Sequence, residues 1–319
     1  MKRRLLLAAA GAGLAAPALA QGAWPSRPIR MIVPFPPGGG TDFVSRIAAQ
    51  RLSDALGQPV VVENRPGAGG TIGANAVAQA APDGYTIGMA TSSTHPAALV
   101  LQRSVPYDPV AGFTAITQVG VTPYVLVGGP AMPGRDLRDF VAAVRAQPGR
   151  LSYASVGTST LGYLLTRQFE ALTGTRMTHV PYRGSAQVYP DLLNGTVAFI
   201  LDNPSGSAGL IRDGRVRALA ITRRSAALPE VPSFAEAGVP GFEGVFWYGL
   251  VAPAGLPAEI AARMQRDLAR QFEMPAHRQE LVARDVEPIL STPAAFAATI
   301  AADVTWMRAA AERLGLQPE

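Results

Sequence analysis

The sequence predicts an α/β fold of two lobes that are joined by two crossover strands and separated by a ligand cleft. Three observations support this fold class. Short apolar runs alternate with amphipathic runs over the first third of the chain, which is the pattern of a mostly parallel, doubly wound sheet. A middle region repeats that alternation, and two helix-like segments at the end need a sheet to cover. Hinged lobes of this kind close around a ligand.

The first unit begins with an apolar strand, Ile29–Val33. A helix follows at Phe43–Leu56, because apolar residues recur there at i, i+4 spacing. The β-branched run Pro59–Glu63 predicts a second strand. The remaining predicted elements are a helix at Ile72–Ala80 and a strand at Tyr85–Ala90.

A second unit begins near Val125 and repeats the motif of a strand, a small polar turn and a helix start. The strand is Leu151–Ser155, the turn is 156–160, and the helix is Leu161–Thr173. The other predicted elements of this unit are helices at Leu137–Ala146 and Val188–Leu193 and strands at Val197–Asp202 and Ala218–Thr222.

The chain then returns to the first unit, because the helices Glu259–Phe272 and Phe296–Leu314 each carry an apolar stripe that must be buried. The natural crossovers are two apolar strand-like segments, Thr117–Val127 and Val245–Val251. The resulting prediction is a discontinuous first lobe, 21–123 plus 248–319, and a second lobe, 124–247.

Residues 1–20 have the pattern of a signal peptide. Lys2, Arg3 and Arg4 precede an apolar stretch, and Ala18-Leu19-Ala20 fits the small-residue cleavage rule. We therefore expect cleavage after Ala20 and export to the periplasm. The Arg3-Arg4 pair leaves the twin-arginine and general export routes both open.

Composition excludes several classes of chemistry. The chain has no cysteine, so disulfides, thiolate nucleophiles and cysteine-ligated metals are excluded. Lys2 is the only lysine, so the mature chain lacks a Schiff-base lysine and a P-loop lysine. Removing the three signal-peptide cations lowers the formal net charge from +5 to +2, and no basic run predicts nucleic-acid binding. We expect no metal and no cofactor.

Residues 34–42, Pro-Phe-Pro-Pro-Gly-Gly-Gly-Thr-Asp, join the first strand to the first helix. A glycine-rich turn before a helix N-terminus gathers free backbone N–H groups around an anion. The phosphate-binding patterns GxxxxGK[ST] and GxGxxG are not matched, so a carboxylate is the favoured anion. A simple connecting turn is the alternative. The loop Ser155–Thr160 repeats the design with side-chain hydroxyls.

Polar residues at the carboxyl ends of strands are candidate ligand contacts, since open α/β sheets bind ligands there. Asp42 is one candidate, and a helix cap or an ion pair with Arg46 is the alternative for it. Asp202 suits a ligand amine or hydroxyl, and an Asx turn with Asn203-Pro204 is its alternative. The complete set of candidates is Phe35, Pro36, Gly38, Gly39, Thr41, Asp42, Ser92, Ser93, Thr158, Ser159, Thr160, Tyr182 and Asp202.

Nine segments resemble the periplasmic substrate-binding proteins of tripartite tricarboxylate transporters, the Bug family. They are PFPPGGGTD (34–42), ENRPGAGG (63–70), APDGYT (81–86), YDP (107–109), YAS-x-G (153–157), HVPYRG (179–184), DLLNG (191–195), LPEVPSFAEAGVPGFE (228–243) and APAGLP (252–257). The similarity runs from about Trp24 to Leu316. The second loop departs from the family pattern at Ser159, where glycine is frequent, and at Tyr163, where histidine is frequent.

The resemblance implies a fold like the type II periplasmic binding proteins. It also implies that the loops Phe35–Asp42 and Ser155–Thr160 hold one carboxylate of a small organic ligand, mainly through backbone amides, hydroxyls and waters. The expected partners are this ligand and either multi-span membrane permease subunits or a sensor ectodomain, and the protein is expected to be a monomer. A periplasmic hydrolase is the enzymatic alternative, which the sequence disfavours because it has no G-x-S-x-G motif and only three histidines.

Overall fold

Two separate β-sheets organise residues 24–318, the part of the chain that the computed structural model describes. The predicted signal peptide therefore lies outside the described residues. The strands are β1 (Ile29–Val33), β2 (Val60–Asn64), β3 (Thr86–Thr91), β4 (Phe113–Pro123), β5 (Val125–Gly128), β6 (Ser152–Ser155), β7 (Thr178–Pro181), β8 (Phe199–Asp202), β9 (Arg217–Ile221), β10 (Val245–Pro253) and β11 (Glu287–Pro288). One sheet has the order β11-β4-β10-β3-β1-β2 and the other has the order β7-β6-β8-β5-β9.

Helices cover both sheets. They are α1 (Gly40–Leu56), α2 (Thr71–Ala78), α3 (Ala98–Leu101), α4 (Leu137–Ala146), α5 (Leu161–Thr173), α6 (Ser185–Asn194), α7 (Pro204–Arg212), α8 (Ala258–Gln271), α9 (Pro275–Val282) and α10 (Pro293–Arg313). As predicted, the late helices α8 and α10 pack on the first sheet, where both contact β4. Within residues 24–318, no helix combines the length and the apolar character that a bilayer crossing requires.

The strand that follows each crossover between the lobes is antiparallel to its neighbours. β10 pairs antiparallel with β3 and β4, and β5 pairs antiparallel with β8 and β9. Strands β1, β2 and β3 are parallel to one another, as the alternating pattern predicts. A crossing strand enters its sheet from the other lobe without a covering helix, so it is not constrained to the parallel βαβ arrangement.

The first predicted crossover, Thr117–Val127, is two strands that meet at Tyr124. The chain leaves β4 at Pro123 and enters β5 at Val125. Tyr124 is held between the sheets, because its N–H donates to Thr222 Oγ1 at 2.9 Å and its carbonyl accepts from Thr222 N at 2.8 Å. The second crossover leads from β9 to β10. The first sheet includes Val245–Trp247, which the predicted boundary assigned to the second lobe, and the lobe limits otherwise stay a prediction.

Each lobe has a densely packed aromatic core. In the second lobe, Phe199 packs edge-on against Phe140 and stacks with Tyr153, at ring-centre distances of 5.3 and 5.6 Å. In the first lobe, Trp247 packs edge-on against Phe296 at 5.1 Å. Its indole N–H donates to Asp303 Oδ2 at 2.6 Å.

His95 gives the first core a specific dependence on pH. It is 1% exposed and packs at a tilt against Phe113 at a ring-centre distance of 4.6 Å, and its Nε2 has no hydrogen-bond partner among the described residues. Burial lowers the pKa of His95 to about 3. Between pH 6.5 and 3 the unfolded chain binds a proton there that the folded chain does not, so stability falls as the pH falls.

We expect the free energy of unfolding to decrease in this range by about 1.4 kcal/mol per pH unit because of this single group. His95→Phe should remove that part of the slope. Urea unfolding of both proteins at several pH values between 6.5 and 4 measures the difference. If the free energy of unfolding falls with pH at the same slope in both proteins, this account is contradicted.

Candidate carboxylate-binding cleft

A cavity of about 40 Å³ lies between the two sheets. It is at the carboxyl ends of β1 and β3 in one lobe and of β6 and β8 in the other. Its lining residues are Phe35, Pro36, Gly39, Gly40, Thr41, Ser93, Tyr124, Ser155, Val156, Gly162, Gly184, Ser185, Ala186, Ile200, Leu201, Asp202, Asn203 and Phe246. A water molecule needs roughly 10–15 Å³ by this measure, so the cavity has room for about three waters.

Four helix N-termini meet at this cavity. The lining includes Gly40 at the start of α1, Gly162 in the first turn of α5, Ser185 at the start of α6, and Asn203 at the N-cap of α7. Each helix has at least eight residues, and each N-terminus presents unpaired N–H groups and about half a positive elementary charge. In the part of the chain that the structure describes, no arginine or histidine lines the cavity. The hydrogen-bond donors that the cavity offers an anion are therefore backbone N–H groups and hydroxyls.

The first loop brings the start of α1 close to the opposite lobe. The helix begins at Gly40, three residues before the predicted start, because Gly39 is extended and its carbonyl accepts from Phe43 N at 3.1 Å. A side chain at Gly40 has no room, since an added Cβ would overlap Ser205 Oγ and lie 2.5 Å from Asn203 Oδ1. The glycine thus allows the lobes to touch.

Asp42 stabilises this loop. Its carboxylate accepts from Gly38 N at 3.1 Å, Arg46 Nε at 3.0 Å and Asn64 Nδ2 at 2.9 Å. Burial raises the pKa of Asp42, but these hydrogen bonds outweigh burial and hold the pKa below its usual value. Of the alternatives that the sequence left open for Asp42, the pair with Arg46 is formed and the N-cap position belongs to Gly39.

The second loop leads from β6 into α5. Ser155 Oγ accepts from Gly157 N at 3.1 Å and lies 2.6 Å from His179 Nε2. Thr160 is fully buried, and its hydroxyl donates to the carbonyl of Gly157 at 2.7 Å. These bonds hold the loop in a compact turn that presents the start of α5 to the cleft.

Hydrogen bonds cross the cleft. Leu161 N, at the start of α5, donates to Ser93 Oγ of the first lobe at 3.2 Å. Near the hinge, Ser205 Oγ and Tyr248 Oη lie 2.8 Å apart, and Tyr248 Oη donates to Asn203 Oδ1 at 3.1 Å. The lobes are therefore in direct contact in this structure.

Asp202 forms the inner wall of the cavity. Its carboxylate accepts from Asn203 N at 2.9 Å, Tyr189 Oη at 2.8 Å and Ser185 Oγ at 3.4 Å. Burial raises the pKa of Asp202, and these hydrogen bonds oppose that shift. Burial also raises the pKa of Tyr189, so the phenol is a neutral donor at pH 7.

The structure brings together some of the sequence-predicted candidates and not others. Those that line the cavity are Phe35, Pro36, Gly39, Thr41, Ser93 and Asp202. Gly38, Asp42, Ser92, Thr158, Ser159, Thr160 and Tyr182 lie outside the lining. Ser92 Oγ accepts from Trp247 N at 2.9 Å, and Tyr182 Oη donates to Asp191 Oδ2 at 2.7 Å. A ligand role for any member of the set stays a prediction.

Sequence reasoning missed several lining residues. Tyr124 joins β4 to β5 and Phe246 lies on β10, and their position in the crossover segments was the available signal. Ser185 is the first residue of the helix directly after the HVPYRG segment, whose last residue, Gly184, is the N-cap. Gly40 was within the predicted loop, but only the contact with Ser205 identifies it as the tightest point.

Outside the cleft, the candidates for other sites are a second groove that contains arginines and possible metal-binding clusters. A groove of about 360 Å³ lies between α4, the end of α5 and residues 237–240, and includes Arg138 and Arg145. Within residues 24–318, no cluster of three or more His, Asp or Glu side chains is placed to hold a metal ion.

Known proteins share this architecture and sequence. The model of the family described as "Tripartite tricarboxylate transporter family receptor" (TctC) matches residues 44–316. Protein BugT of Bordetella pertussis is 40% identical over 287 residues, which cover 89% of this chain and 88% of BugT.

Two solved structures are similar over nearly the whole chain. The R. palustris protein Rpa4515, solved with adipate, has a TM-score of 0.90 at 33% identity, and the match covers 93% of this chain and 100% of that one. MatC from Rhodopseudomonas palustris, solved with bound malate, has a TM-score of 0.85 at 31% identity, with 90% and 99% covered. The predicted two-lobed α/β fold and the resemblance to the Bug proteins are confirmed, and the chain belongs to the tripartite tricarboxylate transporter receptor family.

Proposed function

We propose that the cleft binds one carboxylate group of a small organic acid and that the protein passes this ligand to a membrane transporter. The observation that carries the proposal is the meeting of four helix N-termini at a cavity without a basic side chain. Such N-termini supply hydrogen-bond donors and a positive potential, which suit a carboxylate. The relatives solved with adipate and malate support the same ligand class.

Binding would be coupled to motion of the lobes. The lobes touch across the cavity, where Leu161 N donates to Ser93 Oγ and Gly40 lies against Ser205, so the lobes must separate for the ligand to enter. Donors from both lobes, such as the start of α1 and the start of α5, then favour the closed form with ligand. Of the predicted ligand contacts, those with polar side chains that line the cavity are Thr41, Ser93 and Asp202.

The family description supports a membrane transporter as the partner. Our proposal includes multi-span permease subunits in this role, a monomeric receptor in the periplasm, and cleavage after Ala20. A sensor ectodomain is the alternative partner, and pull-down of the permease or of the sensor by the purified receptor separates the two.

One contact favours a second candidate function, ester hydrolysis. Ser155 Oγ lies 2.6 Å from His179 Nε2, the separation of a nucleophile and its general base. The same serine also accepts from Gly157 N, which gives it a structural role in the loop. We expect no hydrolysis of p-nitrophenyl esters above the level of a Ser155→Ala variant, and turnover that this variant abolishes would favour the enzyme.

Thermal-shift screening of the purified mature protein tests the binding function. The panel consists of mono-, di- and tricarboxylates, acidic amino acids and aromatic acids. A ligand at 100 times its Kd should add about 2.7 kcal/mol to the free energy of unfolding. If no carboxylate in the panel raises the melting temperature, the proposed function is wrong.

A further inference from the structure

Asp202 is a buried carboxylate without a cationic partner. Its side chain is 5% exposed and lines the cavity. All three donors that reach it are neutral: Tyr189 Oη at 2.8 Å, Asn203 N at 2.9 Å and Ser185 Oγ at 3.4 Å. A buried charge with only neutral partners is costly unless something else compensates it.

The groups that face Asp202 from the packed elements are also neutral. Helix α6 supplies Tyr189 and Ser185, and the start of α7 supplies Asn203. Tyr248 of β10 and Tyr124 between the sheets are the hinge groups that interact electrostatically with Asp202, and burial keeps the pKa of both phenols above the usual value. Compensation must therefore come from the helix N-termini, from a proton or from the ligand.

The carboxylate of Asp202 has unused acceptor capacity. Two carboxylate oxygens offer about four lone-pair sites, and the three donors occupy three of them. Because Asp202 lines the cavity, a ligand can supply the fourth donor. A second ligand carboxylate cannot supply a donor to an ionised Asp202, since it is an acceptor and carries the same charge.

Contacts between the lobes limit where that donor can be. The start of α1 lies against the start of α7, since a Cβ added to Gly40 would be 2.5 Å from Asn203 Oδ1, and Asn203 N donates to Asp202 at 2.9 Å. A ligand carboxylate held at the helix N-termini therefore lies within a few atoms of Asp202. The donor must be attached close to the carboxyl group, on the neighbouring carbon.

We propose that Asp202 makes the cleft selective for small carboxylates that carry a hydroxyl or an ammonium group on the carbon next to the carboxyl group. Asp202 accepts a hydrogen bond from this substituent, while the helix N-termini hold the ligand carboxylate. This selectivity rests on the proposed carboxylate-binding function and specifies the class of ligand.

Two trios of acids isolate the substituent. Succinate, malate and aspartate share one carbon skeleton and differ at carbon 2, as do propionate, lactate and alanine. Calorimetric titration at pH 7 measures the Kd of each acid. In at least one trio, the hydroxy acid or the amino acid should have a Kd about 10- to 150-fold below that of the unsubstituted acid, succinate or propionate. Tighter binding of the hydroxy acid identifies a hydroxyl donor, and tighter binding of the amino acid identifies an ammonium donor.

Asp202→Asn should reduce the preference within each trio to less than about threefold, because it removes the charge that strengthens the bond. Asp303→Asn is the matched control, since Asp303 is a half-buried carboxylate that bonds Trp247 and does not line the cavity. This variant should keep the wild-type preference.

The wild-type titrations decide the proposal even if Asp202→Asn does not fold. Equal affinities within the trios, tighter binding of succinate and propionate, or binding of none of the substituted acids would overturn it. Tight succinate binding would leave carboxylate binding intact and refute only the role of Asp202. A broad carboxylate screen without any binder would instead refute the proposed function itself.

Discussion

Gly40→Ala is expected to weaken ligand binding by about 5- to 150-fold without weakening the fold. The added Cβ would overlap Ser205 Oγ and lie 2.5 Å from Asn203 Oδ1 and 3.0 Å from Tyr248 Oη. These three groups are bonded to one another, so none of them moves without losing a hydrogen bond. Overpacking of this kind costs about 1–3 kcal/mol, and here the cost falls on closure of the lobes.

The folded protein with its lobes apart does not experience this overlap. Gly40 has ordinary helical geometry in the first turn of α1, where alanine is favourable. Calorimetric titration with the best carboxylate, together with the melting temperature without ligand, separates the two effects. Gly209→Ala is the matched control, because Gly209 lies in helix α7 and an added Cβ has no neighbour within 4 Å. Unchanged affinity in Gly40→Ala would contradict the account of closure.

Phe199→Ala is expected to have the largest effect on stability, about 3–5 kcal/mol. Phe199 is 1% exposed, begins β8 and packs against both Phe140 and Tyr153. Its truncation leaves a cavity in the core of the second lobe. Since β8 also positions Asp202, we expect weaker ligand binding at temperatures where the variant is still folded.

Urea unfolding followed by circular dichroism measures this loss. Leu172→Ala in the same lobe is the control, because Leu172 is 48% exposed and should change stability by less than about 0.5 kcal/mol. A loss below about 1 kcal/mol in Phe199→Ala would show that the core of the second lobe is not packed as described.

Elements with a strong hydrophobic period could be predicted from the sequence. The strand Ile29–Val33 and the helices Leu137–Ala146 and Leu161–Thr173 have the predicted limits. Helix α7 was missed, since its sequence, PSGSAGLIR, is rich in residues with low helix propensity. Only Asn203 followed by Pro204 marks its start, and this pair also fits the Asx turn that was considered.

The site was predictable where it depends on the edge of one sheet. Ser93 follows the end of β3, Asp202 ends β8, and Thr41 lies in the first turn of the helix after β1; all three line the cavity, as the rule for open α/β sheets predicts. Contacts that depend on the relative position of the lobes leave no local pattern in the amino-acid sequence. The fit of Gly40 against Ser205 joins residues that are far apart in the chain, and neither residue alone indicates it.

The alternatives for Asp42 illustrate the same limit. An aspartate four residues before an arginine at a helix start fits a ligand contact, a cap or an ion pair equally well. The choice depends on Asn64, which donates to Asp42 from the end of β2. Only the folded sheet brings that amide to the loop.

A crystal structure of the mature protein with its tightest carboxylate tests the central claim most directly. We predict that one ligand carboxylate lies within hydrogen-bond distance of backbone N–H groups at the starts of α1 and α5, without an arginine contact, and that Asp202 faces the neighbouring substituent. The arginine-lined groove at Arg138 and Arg145 is the competing place for an anion. A ligand carboxylate bound there, with the cleft unchanged, would contradict the account.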